Sequence, residues 1–447
     1  MKIFISSSLF LIPIERTMIL LFGGLLLFPS ISYATSFHVA KTGNDSNSGS
    51  KISPFQTIKH GVEHLSPGDT LYVHGGNYSE GISSWKTLIP NGKSWNQPIT
   101  IAANPGEPVT ITPPSGSAFF WIQDGQPKYL IIDGFIIDGQ KQALHGFKFS
   151  NNSQFIRVQN TEIMNTKSSG ILVTICSGCT NPGSSPHETH HEFLKLNIHH
   201  NGSGIKDHGF YIETSNNLVE GGQFHNNTGN GGKFFHGNLP GVSNFNIARN
   251  NKFFNNSTSG DWSCGLILSS GEGNMAYNNL AYGNFAGFCI LHRTTNARLF
   301  NNISYENEFY GIYVGIDSTD KTRVENNTVF QNKGYGIFVG DGAQNTSILN
   351  NISYQNSEEN IKLQKQIGSV TSHNLTSDPL FINAAQKDFQ LKPGSPAIDK
   401  GEKLNFISDD MAGTARPQGS GYDIGAYEEI QEVDITPPAT PREFSAK

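Results

Sequence analysis

Apolar residues recur along the chain in one short phrase: a glycine, then apolar side chains one and three positions later. Gly287-Phe-Cys-Ile290, Gly311-Ile-Tyr-Val314 and Gly336-Ile-Phe-Val339 are consecutive copies, and earlier ones begin at Gly146, Gly170, Gly209, Gly232 and Gly265. Asn360-Ile-Lys-Leu363 continues the series without the glycine. The steps are 24, 39, 23, 33, 22, 24, 25 and 24 residues, so the two long ones read as one period plus an inserted loop, at roughly residues 176–192 and 237–262. Asn278-Asn279, Asn301-Asn302, Asn326-Asn327 and Asn350-Asn351 keep the same period. Alternation of apolar and polar residues between these marks predicts about three short, half-buried strands per period and leaves no room for a helix.

A fixed period built from β-type units predicts coils stacked as a solenoid. At the ~4.8 Å spacing of neighbouring strands, equivalent asparagines would form an internal ladder. A leucine-rich repeat has a similar period but needs leucines at set positions, whereas the apolar positions here are mostly Ile, Val and Phe. The open end of such a stack needs a cover. Residues 54–65 carry Phe55, Ile58, Val62 and Leu65 at helical spacing, which predicts an N-terminal capping helix. Early strands are expected at 70–73, 98–102, 109–112 and 129–132, and closing strands at 378–381 and 389–391.

Composition agrees with this picture. The chain has 48 glycines and only 15% charged residues, which suits strands joined by turns of positive φ. A net charge of −6 argues against a nucleic-acid partner. Lys2 and Arg16 precede an apolar run at 18–28 and the small-x-small pattern Ser32-Tyr-Ala34, which reads as a cleaved export signal. That run is shorter than the ~18–20 residues of a membrane span. The expected organisation is a signal peptide over 1–34, one solenoid domain over 35–430 and a proline-rich tail over 431–447. The mature chain is expected to be a monomer without a membrane span, in the periplasm, at the cell surface or secreted.

Three further segments carry a resemblance. The opening Phe37-His-Val-Ala-Lys-Thr-Gly-Asn-Asp-Ser-Asn-Ser-Gly-Ser50 with Pro54-Phe-Gln-Thr-Ile58 resembles the start of many exported members of the pectin-lyase-like superfamily. The Asn-Asn repeats resemble its body. Asp378-Pro-Leu-Phe381, Pro393-Gly-Ser-Pro-Ala-Ile-Asp399 and Asp423-Ile-Gly-Ala-Tyr-Glu428 resemble its bacterial closing segment. Over residues 36–428 the resemblance implies an all-β, right-handed parallel β-helix with a polysaccharide as substrate or ligand. The superfamily includes lyases, hydrolases, epimerases and non-catalytic proteins, so fold alone leaves the reaction open.

Strand parity maps the outer face. If residues one and three after each glycine face inward, Tyr211 and Glu213 face outward. Counted from Gly232, Lys233 would point inward, which an unpaired ammonium should not do. Counting from Gly231 turns Lys233 outward and is preferred. The middle coils concentrate Lys206, Asp207, His208, Tyr211, Glu213, Lys233, His236, His292 and Arg293, beside both long insertions. Cleaving a uronic-acid polymer by β-elimination needs a neutralised carboxylate and a base of suitable pKa. Lys233, Lys206 and His236 are candidates for base chemistry, with Arg293 as a carboxylate clamp. Asp207, His208, Tyr211, Glu213 and His292 are expected to bind substrate, with His208 also a candidate base.

Two rival readings stay open: a non-catalytic carbohydrate-binding or surface protein, and a glycoside hydrolase, for which Asp207 and Glu213 would have to pair. Superfamily lyases include calcium-dependent ones, and Asp207, Glu213 and Asp261 are thin candidates for a cation. Cys176 and Cys179, with His187, His190 and His191 downstream, permit a zinc site, but an exported chain favours a loop disulfide. Parity puts Cys264 and Cys289 on opposite faces, so both are expected unpaired.

Overall fold

The computed structural model describes residues 34–123, 127–150, 153–175, 188–237, 242–257, 263–365 and 367–430. The expected signal segment, Cys176, Cys179, His187, Asp261 and the proline-rich tail lie outside them. Each coil contributes one short strand to each of three parallel sheets. The first sheet has 13 strands, from Ser36–Val39 to Val370–Ser372, and follows chain order throughout. The second, from Gly76–Tyr78 to Ile352–Tyr354, and the third, from Ile82–Ser83 to Ile361–Leu363, have 11 strands each. The Gly-apolar phrases are the strands of the third sheet.

The Asn-Asn pairs explain how a coil turns. Asn278, Asn301, Asn326 and Asn350 have φ of 55°, 52°, 50° and 57°, the left-handed bend between the first and second sheets. The second asparagine of each pair points inward. Asn251, Asn279, Asn302, Asn327, Asn351 and Asn374 form a continuous amide ladder, each Nδ2 donating to the next Oδ1 at 3.0–3.1 Å. A parallel ladder runs from Asn201 through Asn227, Asn256, Asn284, Asn307 and Asn332 to Asn356 at the next bend. Every rung also donates a hydrogen bond to a backbone carbonyl, as Asn279 does to Ala248 at 2.8 Å. The polar bends are therefore satisfied inside the coil, and the rest of the interior fills with Ile, Val, Leu and Phe.

The capping helix forms as expected, at Ile58–Glu63, with the Thr57 side chain accepting from the His60 N–H at 3.2 Å. Phe55, Ile58, Val62 and Leu65 bury its apolar stripe against the first coils. At the other end, Phe381–Asn383 and Asp388–Leu391 pair antiparallel. The chain then folds back over the outside of the second sheet. Phe381, Phe389, Leu391, Ile424 and Ala426 pack on Tyr305, Phe330 and Ile352 there. Buried Arg416 knits this segment together, donating to Glu428 at 2.7 Å and to the Gly425 carbonyl at 2.8 Å.

Two expectations need correction. Cys264 and Cys289 form a disulfide, with Cα atoms 6.2 Å apart. Alternation had been carried through Gly265, but a Cβ there would meet the Gly287 carbonyl at 2.8 Å and Phe253, inside the coil. Glycine and its successor both face inward at this corner, so Cys264 just before them faces out beside Ile267 and Cys289. The second long insertion is also not one loop. Residues between its ends form the strands Ile247–Arg249 and Lys252–Phe254 of an ordinary coil.

Candidate functional site

Outward residues of the third sheet form one lengthwise row. In register it runs Ser83, Trp121, Lys148, Leu172, Tyr211, Lys233, Ile267, Cys289, Tyr313, Phe338 and Lys362. Lys233 is therefore outward, with Phe234 fully buried behind it, as the Gly231 count requires. Gly231 and Gly232 have no side chain for a reason: a Cβ on Gly232 would strike the Phe210 ring at 2.1 Å. This glycine pair lets the strand lie against the Phe210 ring while presenting its lysine.

Lys233 is half-buried between aromatic rings. Its ammonium lies 4.1 Å from the Phe235 ring centroid and 5.8 Å from that of Tyr211. Burial, with the Lys206 charge nearby, pushes its pKa down to about 8. No carboxylate opposes this shift among the described residues. Lys206 itself is exposed, on the loop leading from the second sheet to the strand Phe210–Ile212. The structure thus brings Lys206, Tyr211 and Lys233 together.

The other candidates divide. Glu213 accepts from Thr174 Oγ1 at 2.5 Å and from the Tyr211 hydroxyl; burial and this carboxylate drive the phenol pKa up. His292 reaches the group through Phe235, at 5.9 Å between ring centroids, and its Nδ1 lies 3.2 Å from Asp317. His236 follows Phe235 on the same strand end; its Nδ1 is buried without a hydrogen-bond partner. Arg293 is exposed at a left-handed turn, with φ of 56°, beyond His292.

Asp207 and His208 serve the scaffold. Burial would raise the Asp207 pKa, but hydrogen bonds from Ser203 N at 2.9 Å, Ser168 Oγ at 2.7 Å and Gly204 N at 2.9 Å hold it below the usual range. Glu213 is bound to different partners, Thr174 and Tyr211, so the two carboxylates share no hydrogen bond. His208 is buried, and burial together with Lys233 lowers its pKa to about 3. Its Nδ1 accepts from the Asn230 N–H at 3.1 Å, which fixes a neutral ring whose lone pair is in use. It cannot act as the base. His191 is likewise buried, its Nδ1 accepting from Ile156 N at 3.2 Å and its pKa lowered by burial to about 3. It belongs to the core and has no lone pair to offer zinc. His190 stacks on Phe155 instead.

No group of three or more His, Cys, Asp or Glu able to hold a metal occurs among the described residues. Sequence reasoning also overlooked Phe235 and Lys148. Phe235 was missed because its role depends on facing Lys233 along one strand. Lys148 was visible as the second residue after Gly146, the same position that Tyr211 holds after Gly209.

Comparison with known proteins supplies the context. The chain spans most of pectate lyase Pel9A in its solved structure, covering 89% of this chain and 97% of that one at TM-score 0.53 and 17% identity. The mannuronan C-5 epimerase AlgE4 A-module of Azotobacter vinelandii matches 70% of this chain and 91% of its own at TM-score 0.48 and 14% identity. A rhamnogalacturonan lyase matches 86% and 99% at TM-score 0.43 and 15% identity. A comparison with curated proteins finds no match. A family model described as the Pel9A-like right-handed β-helix region matches residues 37–314, and with well over half its length so matched the chain belongs to that family.

Proposed function

We propose that this protein is a polysaccharide lyase that cleaves an acidic, uronic-acid glycan by β-elimination, with Lys233 as the base. The carrying observation is the lysine itself: outward, half-buried against two rings, unopposed by a carboxylate and lowered to about 8. Against an ordinary lysine, that shift raises the neutral fraction at pH 7 from roughly 1 in 3000 to roughly 1 in 10. Kinship with a family named for a pectate lyase supports the same chemistry.

In the step proposed, Lys233 Nζ takes the proton from C5 of the uronate ring. That electron pair forms the C4=C5 double bond as the C4–O glycosidic bond breaks, and the departing oxygen takes a proton from solvent. The ring carboxylate must be partly neutralised for C5–H to be acidic. Lys206, close enough to influence Lys233, is the cation assigned to this role. The expected export signal agrees with a substrate met outside the cytoplasm.

The test is to incubate the chain, freed of residues 1–34, with a panel of uronates and follow the ultraviolet absorbance of the unsaturated product. Wild type is expected to generate absorbance on at least one substrate. Lys233→Ala should lose it by about 100-fold or more, with a melting temperature close to wild type. Turnover undiminished in Lys233→Ala would remove Lys233 from the chemistry.

A further inference from the structure

The same outward row continues from Lys233 toward the capping helix, through Tyr211 and Leu172 to Lys148 and Trp121. Lys148 Nζ lies 4.0 Å over the Trp121 ring. Trp85 meets Trp121 edge-on at 5.3 Å and is 47% exposed. Trp121 Nε1 is buried and donates to nothing. Lys148 forms no ion pair among the described residues; burial lowers its pKa and the Glu213 carboxylate acts in the opposite sense. The ammonium is thus held over an indole face, with Glu213 near enough to act on it but in no ion pair with it among the described residues, so it is placed to meet an anion from outside.

The other direction along the row is closed. Ile267 and Cys289, the next two positions after Lys233, are each 1% exposed, and Leu291 beside them is equally buried. The outward side chains of the sheet there pack together as an apolar cluster around the disulfide. Among the described residues, a linear ligand anchored at Lys233 has its track toward Trp121, over Tyr211, Leu172 and Lys148. Lys148 stands three coils away, about 14 Å at the strand spacing. A sugar ring advances a linear glycan by close to one coil, which sets Lys148 near about the third ring from the one at Lys233.

We propose that Lys148, Trp121 and Trp85 form a distal subsite for an anionic sugar ring of the same polysaccharide, Lys148 pairing with its carboxylate and the indoles packing on its C–H face. This rests on the lyase reading and extends it: the substrate is recognised as a run of several acidic residues laid lengthwise along the third sheet. Aromatic rings suit the apolar faces of sugars, and a cation over a ring is poised for a carboxylate.

The experiment uses galacturonate and mannuronate oligomers of increasing length, measured by turnover in wild type and by calorimetric binding to Lys233→Ala. Lys148→Gln is expected to raise KM, and to weaken binding in the Lys233→Ala background, by about 3- to 10-fold for long oligomers. The penalty should grow with length and shrink with added salt. Trp85→Ala, at an exposed position where folding is not at stake, should show the same length dependence. Turnover that persists with no length-dependent change in either variant overturns the subsite and leaves the lyase reading intact. Absence of both turnover and binding on every oligomer in wild type overturns the lyase reading, and the subsite falls with it.

Discussion

A lysine beside two rings and a histidine behind it are both shifted downward, but with opposite consequences. Lys233 lowered to about 8 has the pKa the proposed base would need, while His208 lowered to about 3 is held neutral with its Nδ1 occupied. The sign for activity follows directly. The reactive form of Lys233 is unprotonated, so kcat/KM should rise with pH and level off above about 8; a pH–rate profile checks this. Lys206→Ala removes the nearby positive charge, and its profile should shift to higher pH. A profile unmoved by that change would mean burial alone sets the pKa. At this scale the sequence was only partly legible. Outward direction could be counted for Tyr211, Glu213 and Lys233. Whether an outward group is free could not, because Asp207 and His208 are engaged by Ser168, Ser203 and Asn230, which are neighbours only across coils or within the same loop.

Strands and bends were more legible, since their determinants are local. Each Asn-Asn pair combines a left-handed residue with an inward amide, and the pair can be read wherever it falls. The ladders make that amide expensive to remove. Asn302 accepts from the Asn279 side chain and backbone N–H, and donates to the Ala276 carbonyl and to Asn327. Asn302→Ala should cost about 1–3 kcal/mol for each buried group left unpaired, measured as a fall in the urea midpoint. An exposed control such as Lys252→Ala, at the outer face of the strand Lys252–Phe254, should change it little. The misreading of Cys264 came from the same scale. Alternation holds within a strand and fails at the corner, where Gly265 and Leu266 both face inward.

For the whole molecule, each coil rests on its neighbours and the two ends are treated differently. The N-terminal end is plugged by one short helix. The closing segment does not simply plug; it folds back along the outer face of the second sheet and shields Tyr305, Phe330 and Ile352. Sequence showed that closing strands existed but not where they lay, because docking onto a distant face leaves no local period. Deleting residues 379–430 should expose that apolar face and turn the protein toward self-association, seen by light scattering. A deletion variant that stays monodisperse would mean the segment is dispensable cover.

The link between Cys264 and Cys289 spans the coil boundary just past Lys233. In a stack that unravels turn by turn, fraying from the C-terminal end meets a covalent clasp before it reaches the coils that carry Lys233, Tyr211 and Lys148. Loss of the last coils and loss of the row around Lys233 need not then coincide: with the clasp oxidised, the N-terminal part of the stack is insulated from the unwinding of the rest, and reductant couples the two fates.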